Sequence, residues 1–191
     1  MFIEVQETPN PNTLKFLLDT PILKDSQTYH FSSINEAKAV SPLAHRLFEI
    51  VEVKGVYLGY DFVTVLLNNE DQWTYLKPKV LAYITDFISS GAEPLSSAGE
   101  EAKQVFQLIG KDEKEQEIIN KIAELFEERI RPAVAMDGGD ITLASYEEGV
   151  VGIIMRGSCS GCPSSTLTLK NGIENMLKYY IPEIKEVVNI G

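Results

Sequence analysis

The sequence predicts an α+β protein of two small α+β domains joined by a linker, each a small mixed sheet packed by helices. Three features carry that prediction. The hydrophobic pattern lapses between Ala92 and about Asp112. On the N-terminal side of the lapse, short strand candidates are mixed with amphipathic helices. On its C-terminal side the order is helix, strand, strand, loop, helix, strand. The boundaries expected are 1–91 for the first domain, 92–112 for the linker and 113–191 for the second domain. A chain of 191 residues is long enough for one or two domains with real cores.

The elements follow in order. FIEV (Phe2 to Val5) and TLKF (Thr13 to Phe16) read as strands around the turn-rich ETPNPN. Residues Thr8 to Asn12 of that stretch are expected to form a rigid turn or a docking surface. YHFSS (Tyr29 to Ser33) reads as an edge strand entering a helix, with Ser33 as its N-cap. In SPLAHRLFEI, Pro42 suits a helix start, and Leu43, Leu47 and Ile50 recur at helical spacing. Val56 to Tyr60 and Phe62 to Leu67 form a hairpin about a tight turn near Asp61. Trp73 to Ser89 is a helix with Leu76, Val80, Ile84 and Phe87 on one stripe, and Gly91 marks its stop.

EPLSSAGEEAK mixes Pro, Ser, Gly and charge as a linker does. The apolar patch VFQLI (Val105 to Ile109) can dock or join a helix. The second domain opens with a helix whose stripe is Ile118, Ile122, Leu125 and Phe126, and Pro132 should end or kink it. DGGD (Asp137 to Asp140) reads as a turn. ITLASY and VVGIIMRG are strands joined in a hairpin through Glu147, Glu148 and Gly149. Pro163 is placed at a helix start, and Leu169, Ile173, Met176, Leu177 and Tyr180 form its apolar face until Pro182 stops it. IKEVVNI supplies the last strand.

Composition narrows the function classes. The hydrophobic share of 44% and charged share of 24% are those of an ordinary globular protein. A net charge of −11 argues against binding a phosphate backbone, so no nucleic-acid partner is expected. The acidity is spread over both halves and reads as a solubility feature. No apolar run approaches a membrane span, since VVGIIM is too short, and no membrane partner is expected. Met1 runs straight into FIEV, so a cytoplasmic protein, or an organellar one already processed, is expected. No Ser–His–Asp set, phosphate-binding Gly-rich loop or HExxH is present, so hydrolase or nucleotide-driven activity has no residue support.

Both cysteines of the chain lie in GSCSGCP, residues Gly157 to Pro163. Cys159 and Cys162 therefore sit between a strand end and a helix start, where unpaired N–H groups of the first helical turn favour negative charge. Both thiols are expected to be more acidic than a free thiol. Gly157 and Gly161 let the backbone bend around whatever the sulfurs hold, and Ser158, Ser160 and Ser164 offer hydroxyls. Structural zinc and iron–sulfur clusters commonly want four ligands. The chain has no third cysteine, and its two histidines, His30 and His45, lie in the first domain and read as surface or packing residues. Two chains related by a two-fold axis would supply four thiolates. The spacing alone leaves three readings open: a bridged iron–sulfur or zinc site, a thioredoxin-like dithiol, and incidental cysteines. The helix–strand–strand lead-in counts against the dithiol. Asp137 and Asp140 are expected to be structural, with Asp140 capping or pairing locally.

IRPAVAMDGGDITLASYEEGVVGIIMRGSCSGCPSSTLTLKNGIENML resembles the C-terminal domain of NifU as carried by Nfu-type scaffold proteins. ETPNPNTLKF resembles the N-terminal domain that accompanies it in bacteria and mitochondria. Together they cover nearly everything except the linker. The resemblance implies a carrier that holds a 4Fe–4S cluster between two subunits through Cys159 and Cys162 of each, and passes it to apo-proteins. The partners implied are a second copy of the chain, iron–sulfur clients and upstream cluster-assembly proteins. Two ligands per chain at an exposed interface would let client thiols replace them one at a time. Helix N–H groups and Arg156 could offset part of the negative charge of such a cluster. The runner-up is a C-x-x-C thiol–disulfide oxidoreductase, followed by a zinc-bridged interaction module.

Overall fold

The computed structural model describes residues 2–24, 27–97, 108–159 and 163–190, with the backbone alone for 163–165. Helices and sheets are mixed in an α+β architecture, and the chain divides into two compact units, Met1–Gln104 and Val105–Gly191.

The first unit contains β1 (Ile3–Glu7), β2 (Thr13–Leu18), β3 (Tyr29–Phe31), α1 (Ile34–Val40), α2 (Pro42–Leu47), β4 (Val53–Leu58), β5 (Phe62–Leu67) and α3 (Trp73–Ser89). Its sheet has the order β1-β2-β5-β4-β3. Every neighbouring pair is antiparallel, so the mixed sheet expected of this half is not what forms. The connections account for two of the four pairs. β1–β2 and β4–β5 are joined by turns too short for the crossover that parallel neighbours need. The ETPNPN turn is held by its own side chains. The Thr8 hydroxyl donates to the Asn10 carbonyl at 2.9 Å, and Asn10 Oδ1 accepts the Asn12 N–H at 3.1 Å. Ser33 caps α1 by accepting the Glu36 N–H, as its position before the helix predicts. Ser41 caps α2 and also donates to the Pro94 carbonyl at 2.6 Å. The Ser96 N–H bonds the Val40 carbonyl at 2.9 Å, so residues 94–96 fold back on α1.

One face of this sheet is the core. Phe16, Leu47, Val65, Val80 and Ile84 are fully buried in one cluster with Trp73. The α3 stripe is the one the sequence predicts: Leu76, Val80, Ile84 and Phe87 are all buried. Burial of each such side chain contributes about 1.5–3 kcal/mol.

In the second unit Asp112 caps α4 (Glu113–Leu125) by accepting the Glu115 N–H at 2.8 Å. Pro132 does not end the helical rod. A π turn, Phe126–Ile130, intervenes before α5 (Arg131–Met136). The Arg131 N–H bonds the Phe126 carbonyl, five residues back. That shift re-registers the ladder where proline lacks an N–H and would crowd the carbonyl four residues before it. β6 (Gly139–Glu147) and β7 (Val150–Gly157) form the predicted hairpin. Its two loop residues, Glu148 and Gly149, have φ of 51° and 90°, as a type I′ turn requires. The crossover helix α6 (Pro163–Tyr180) returns the chain to β8 (Glu186–Asn189), which pairs parallel to β7. This second sheet, β6-β7-β8, is mixed as expected. Ile122, Phe126, Ile130, Ile141, Ile153, Leu177 and Val187 make its core with α4, α5 and α6.

Trp73 is the sole tryptophan and is buried in the first unit, so its fluorescence reports that unit's unfolding. Leu47→Ala is expected to cost about 2–5 kcal/mol in urea denaturation followed by Trp73 emission. A loss below about 1 kcal/mol would show that this core is not close-packed around Leu47.

Candidate functional site

The parallel pairing of β7 with β8 forces a crossover, and the crossover begins with the cysteine motif. β7 ends at Gly157, whose φ of 67° turns the chain away from the sheet. Cys159 follows two residues later, and α6 starts at Pro163. Thr166, in the first turns of α6, donates its hydroxyl to the Cys159 carbonyl at 3.0 Å and ties the loop to the helix. Cys162, Ser160 and Gly161 lie outside the described residues, as does the side chain of Ser164.

The neighbour of this loop is the turn between α5 and β6. Gly139 stands opposite Gly157 in the β6–β7 register, and Asp140 stands opposite Arg156. The Ser158 N–H bonds the Gly138 carbonyl at 3.3 Å, and the Ser158 hydroxyl donates to the Asp137 carbonyl. A Cβ added to Gly139 would stand 2.5 Å from Cys159 Sγ and 2.8 Å from the Arg156 carbonyl oxygen. Gly138 has a φ of 77° and supplies the turn. Gly139 has no such backbone need, and its hydrogen is what lets the thiol approach. The expected turn is thus half turn and half strand: Asp137 and Gly138 bend, while Gly139 and Asp140 already pair with β7.

Cys159 is 6% exposed and belongs to the core cluster that holds Ile141, Met155 and Ile173. Burial pushes its thiol up to about 11. The Ser158 hydroxyl, 3.9 Å from Sγ, pulls the other way, and the Asp137 and Asp140 carboxylates add to the rise. The expectation of an acidic thiol at Cys159 is therefore wrong for this state of the chain. Desolvation of the thiolate is the largest cause, and it outweighs the Ser158 hydroxyl. At neutral pH the sulfur carries its proton.

Asp140 is buried, and its carboxylate is fully used. Arg131 Nε donates to Oδ1 at 3.0 Å and Arg131 Nη2 to Oδ2 at 3.3 Å, while the Ile141 N–H donates to Oδ1 at 2.8 Å. Arg131 Nη1 reaches both Glu127 oxygens, at 2.8 and 3.0 Å. Burial works against the Arg131 charge, but these bonds outweigh it and the guanidinium holds its proton more tightly than a free one. Asp140 is thus locally paired, and Arg156 lies half-buried beside it at the end of β7. His30 lies in β3 and His45 in α2. Among the described residues, no three His, Cys, Asp or Glu side chains converge as a metal site. The role of Gly139 and the carbonyls of Asp137 and Gly138 in walling the thiol escapes sequence reasoning. The one available signal is the doubled glycine, since a turn needs only one.

Gly139→Ala should destabilise the protein by about 1–3 kcal/mol, because the methyl meets backbone and sulfur. Gly172→Ala, on α6 with nothing within 4 Å of the added Cβ, should stabilise it by about 0.5–1 kcal/mol. Chemical denaturation of the pair checks both signs. Cys159 in the Cys162→Ser background should react with iodoacetamide at least about tenfold more slowly than after unfolding in urea. Equal rates would place the thiol outside the core.

Residues 3–91 match the family model described as the N-terminal domain of the scaffold protein Nfu/NifU, and residues 122–188 match the NifU-like domain. The mitochondrial NFU1 iron–sulfur cluster scaffold homologues of Drosophila persimilis and Drosophila erecta are 45% and 46% identical to this chain over 190 residues. Each match takes in 100% of this chain, and the chain spans 65% of the length of those relatives. A solution structure of a NifU-like protein from Saccharomyces cerevisiae is 25% identical, with a TM-score of 0.45, over 51% of this chain and 86% of that one.

Proposed function

We propose, for a chain that belongs to the Nfu-type scaffold family in both of its units, that it carries an iron–sulfur cluster and delivers it to apo-proteins. The cluster is cargo of the 4Fe–4S type, held between two copies through Cys159 and Cys162 of each. It is a carrier without catalytic turnover. The single observation that carries this reading is the thiol inventory. The sequence holds only two cysteines, three positions apart, and Cys159 is anchored where a strand ends and a helix begins. A four-thiolate site then needs a second copy.

The chain's own residues prepare the site. Gly139 leaves room for Sγ, Ser158 and Thr166 fix the backbone on either side of it, and ligation removes the proton from Cys159 Sγ. A thiol held in the core of the cluster-free chain suits storage more than exchange. Rapid disulfide exchange needs an accessible sulfur, so the burial of Cys159 disfavours the oxidoreductase alternative. A zinc-bridged module would use the same four thiolates, and metal analysis separates it.

Within this reading residues 1–91 serve docking or regulation, 92–112 link the domains, and 113–191 hold the cluster. The partners are a second copy of the chain, iron–sulfur clients and upstream cluster-assembly proteins. The relatives are named mitochondrial, which supports the organellar of the two locations expected from the sequence. Among the described residues no helix is long and apolar enough to cross a membrane.

Anaerobic reconstitution with iron and sulfide tests the ligand set. Cys159→Ser and Cys162→Ser should each lose bound iron and cluster-dependent dimerisation on size-exclusion chromatography, with unchanged far-UV circular dichroism. A variant that keeps its full iron content would remove that cysteine from the ligand set. Deletion of residues 1–91 should leave loading intact and slow transfer to an apo client. Unchanged transfer would leave the first domain without the docking role.

A further inference from the structure

Arg131 and Asp140 are nine positions apart in sequence, one on α5 and the other at the start of β6. Between them lies the turn that walls Cys159. The Asp140 carboxylate is held from two sides, by the Arg131 fork and by the Ile141 N–H. The other edge of the guanidinium is anchored on Glu127, in the π turn. The two ends of the turn are therefore closed on each other by a planar, bidentate contact that is buried on the Asp140 side and half-buried on the Arg131 side. From the middle of the turn, the Asp137 and Gly138 carbonyls hold Ser158, and Gly139 abuts Cys159 Sγ.

We propose that the Arg131–Asp140 pair is a positioning device: it closes the Asp137–Gly139 turn against Ser158 and Cys159 and so sets how deeply the Cys159 thiol is held. Neither side chain is a ligand; both act through the turn. The consequence for cargo rests on the cluster-carrier reading above: a loosened turn releases Cys159 from the core, less packing is recovered when the ligand leaves, and the bound cluster becomes harder to extract. The geometric part stands without that reading, because it concerns the cluster-free thiol.

The test uses the full chain in the Cys162→Ser background, where Cys159 is the sole thiol. Iodoacetamide is the probe, and the rate of Cys159 alkylation is read by mass spectrometry. Asp140→Asn keeps an oxygen for the Ile141 N–H and removes the charge pairing, and Arg131→Met removes the fork at similar length. Both should speed alkylation by about tenfold through a local opening. Arg131→Lys, which offers a single point of contact in place of a fork, should fall between them and the parent. Glu127→Gln leaves the Asp140 contact in place and should change the rate less than about twofold. Leu177→Val, a core change on α6, serves as the control for general loosening.

Alkylation that stays at the parent rate in folded Asp140→Asn and Arg131→Met would overturn the proposal. So would a rise no larger than that of a Leu177→Val protein with the same loss in melting temperature. Should Arg131→Met fail to fold, Arg131→Lys carries the same test, and an unchanged rate there with an unchanged Asp140→Asn rate is equally fatal. Iron loading of the wild-type chain is run alongside. Its failure would count against the carrier reading and leave the alkylation result to judge the pair.

Discussion

Between the Asp137–Gly139 turn and the sulfur of Cys159 there is room for a hydrogen and nothing larger. Much of the second unit can be understood from that contact. It needs a glycine that is not there for its backbone angles, a serine whose hydroxyl and N–H both bond into the turn, and a strand end bent by a second glycine at positive φ. It also needs the turn to be closed, which the Arg131–Asp140 pair does at the cost of burying a carboxylate. The π turn ahead of Pro132 fits the same arrangement. It delivers Arg131 onto β6 while keeping Glu127 within reach of the same guanidinium.

The thiol that results belongs to the core before it belongs to any metal. A sulfur with its proton on, packed among Ile141, Met155 and Ile173, is protected from chance oxidation and from adventitious ligands. Taking it out for ligation costs packing and a proton, and both are recovered when the ligand leaves. That balance is the physical counterpart of the proposed carrier role, in which holding must be reversible.

The elements were largely legible in the sequence, because their periodicities are clean. The α3 stripe, the β6–β7 hairpin, the cap at Ser33 and the helix start at Pro42 form where the pattern puts them. What the sequence hid depended on partners distant along the chain. Short turns fix the pairing direction of β1–β2 and β4–β5, whereas β2–β5 and β3–β4 pair across longer separations. Pro132 was readable as a breaker, whereas the π turn that absorbs it was not. The Cys159 thiol is the sharpest case. Its position before a helix argued for acidity, but burial raises its pKa, and the space it occupies beside Gly139, twenty positions earlier, is left by a missing side chain. The two glycines of DGGD look alike in sequence and do different work, one bending the chain and one making space.

The central claim is that each polypeptide supplies half of a coordination sphere. Native mass spectrometry of the protein loaded with iron and sulfide without oxygen tests it most directly. The expected species has the mass of two chains and one 4Fe–4S cluster, and cluster loss and dissociation into single chains should coincide as the cluster is extracted. A cubane on a single chain, or no cluster on any species after loading, would contradict it.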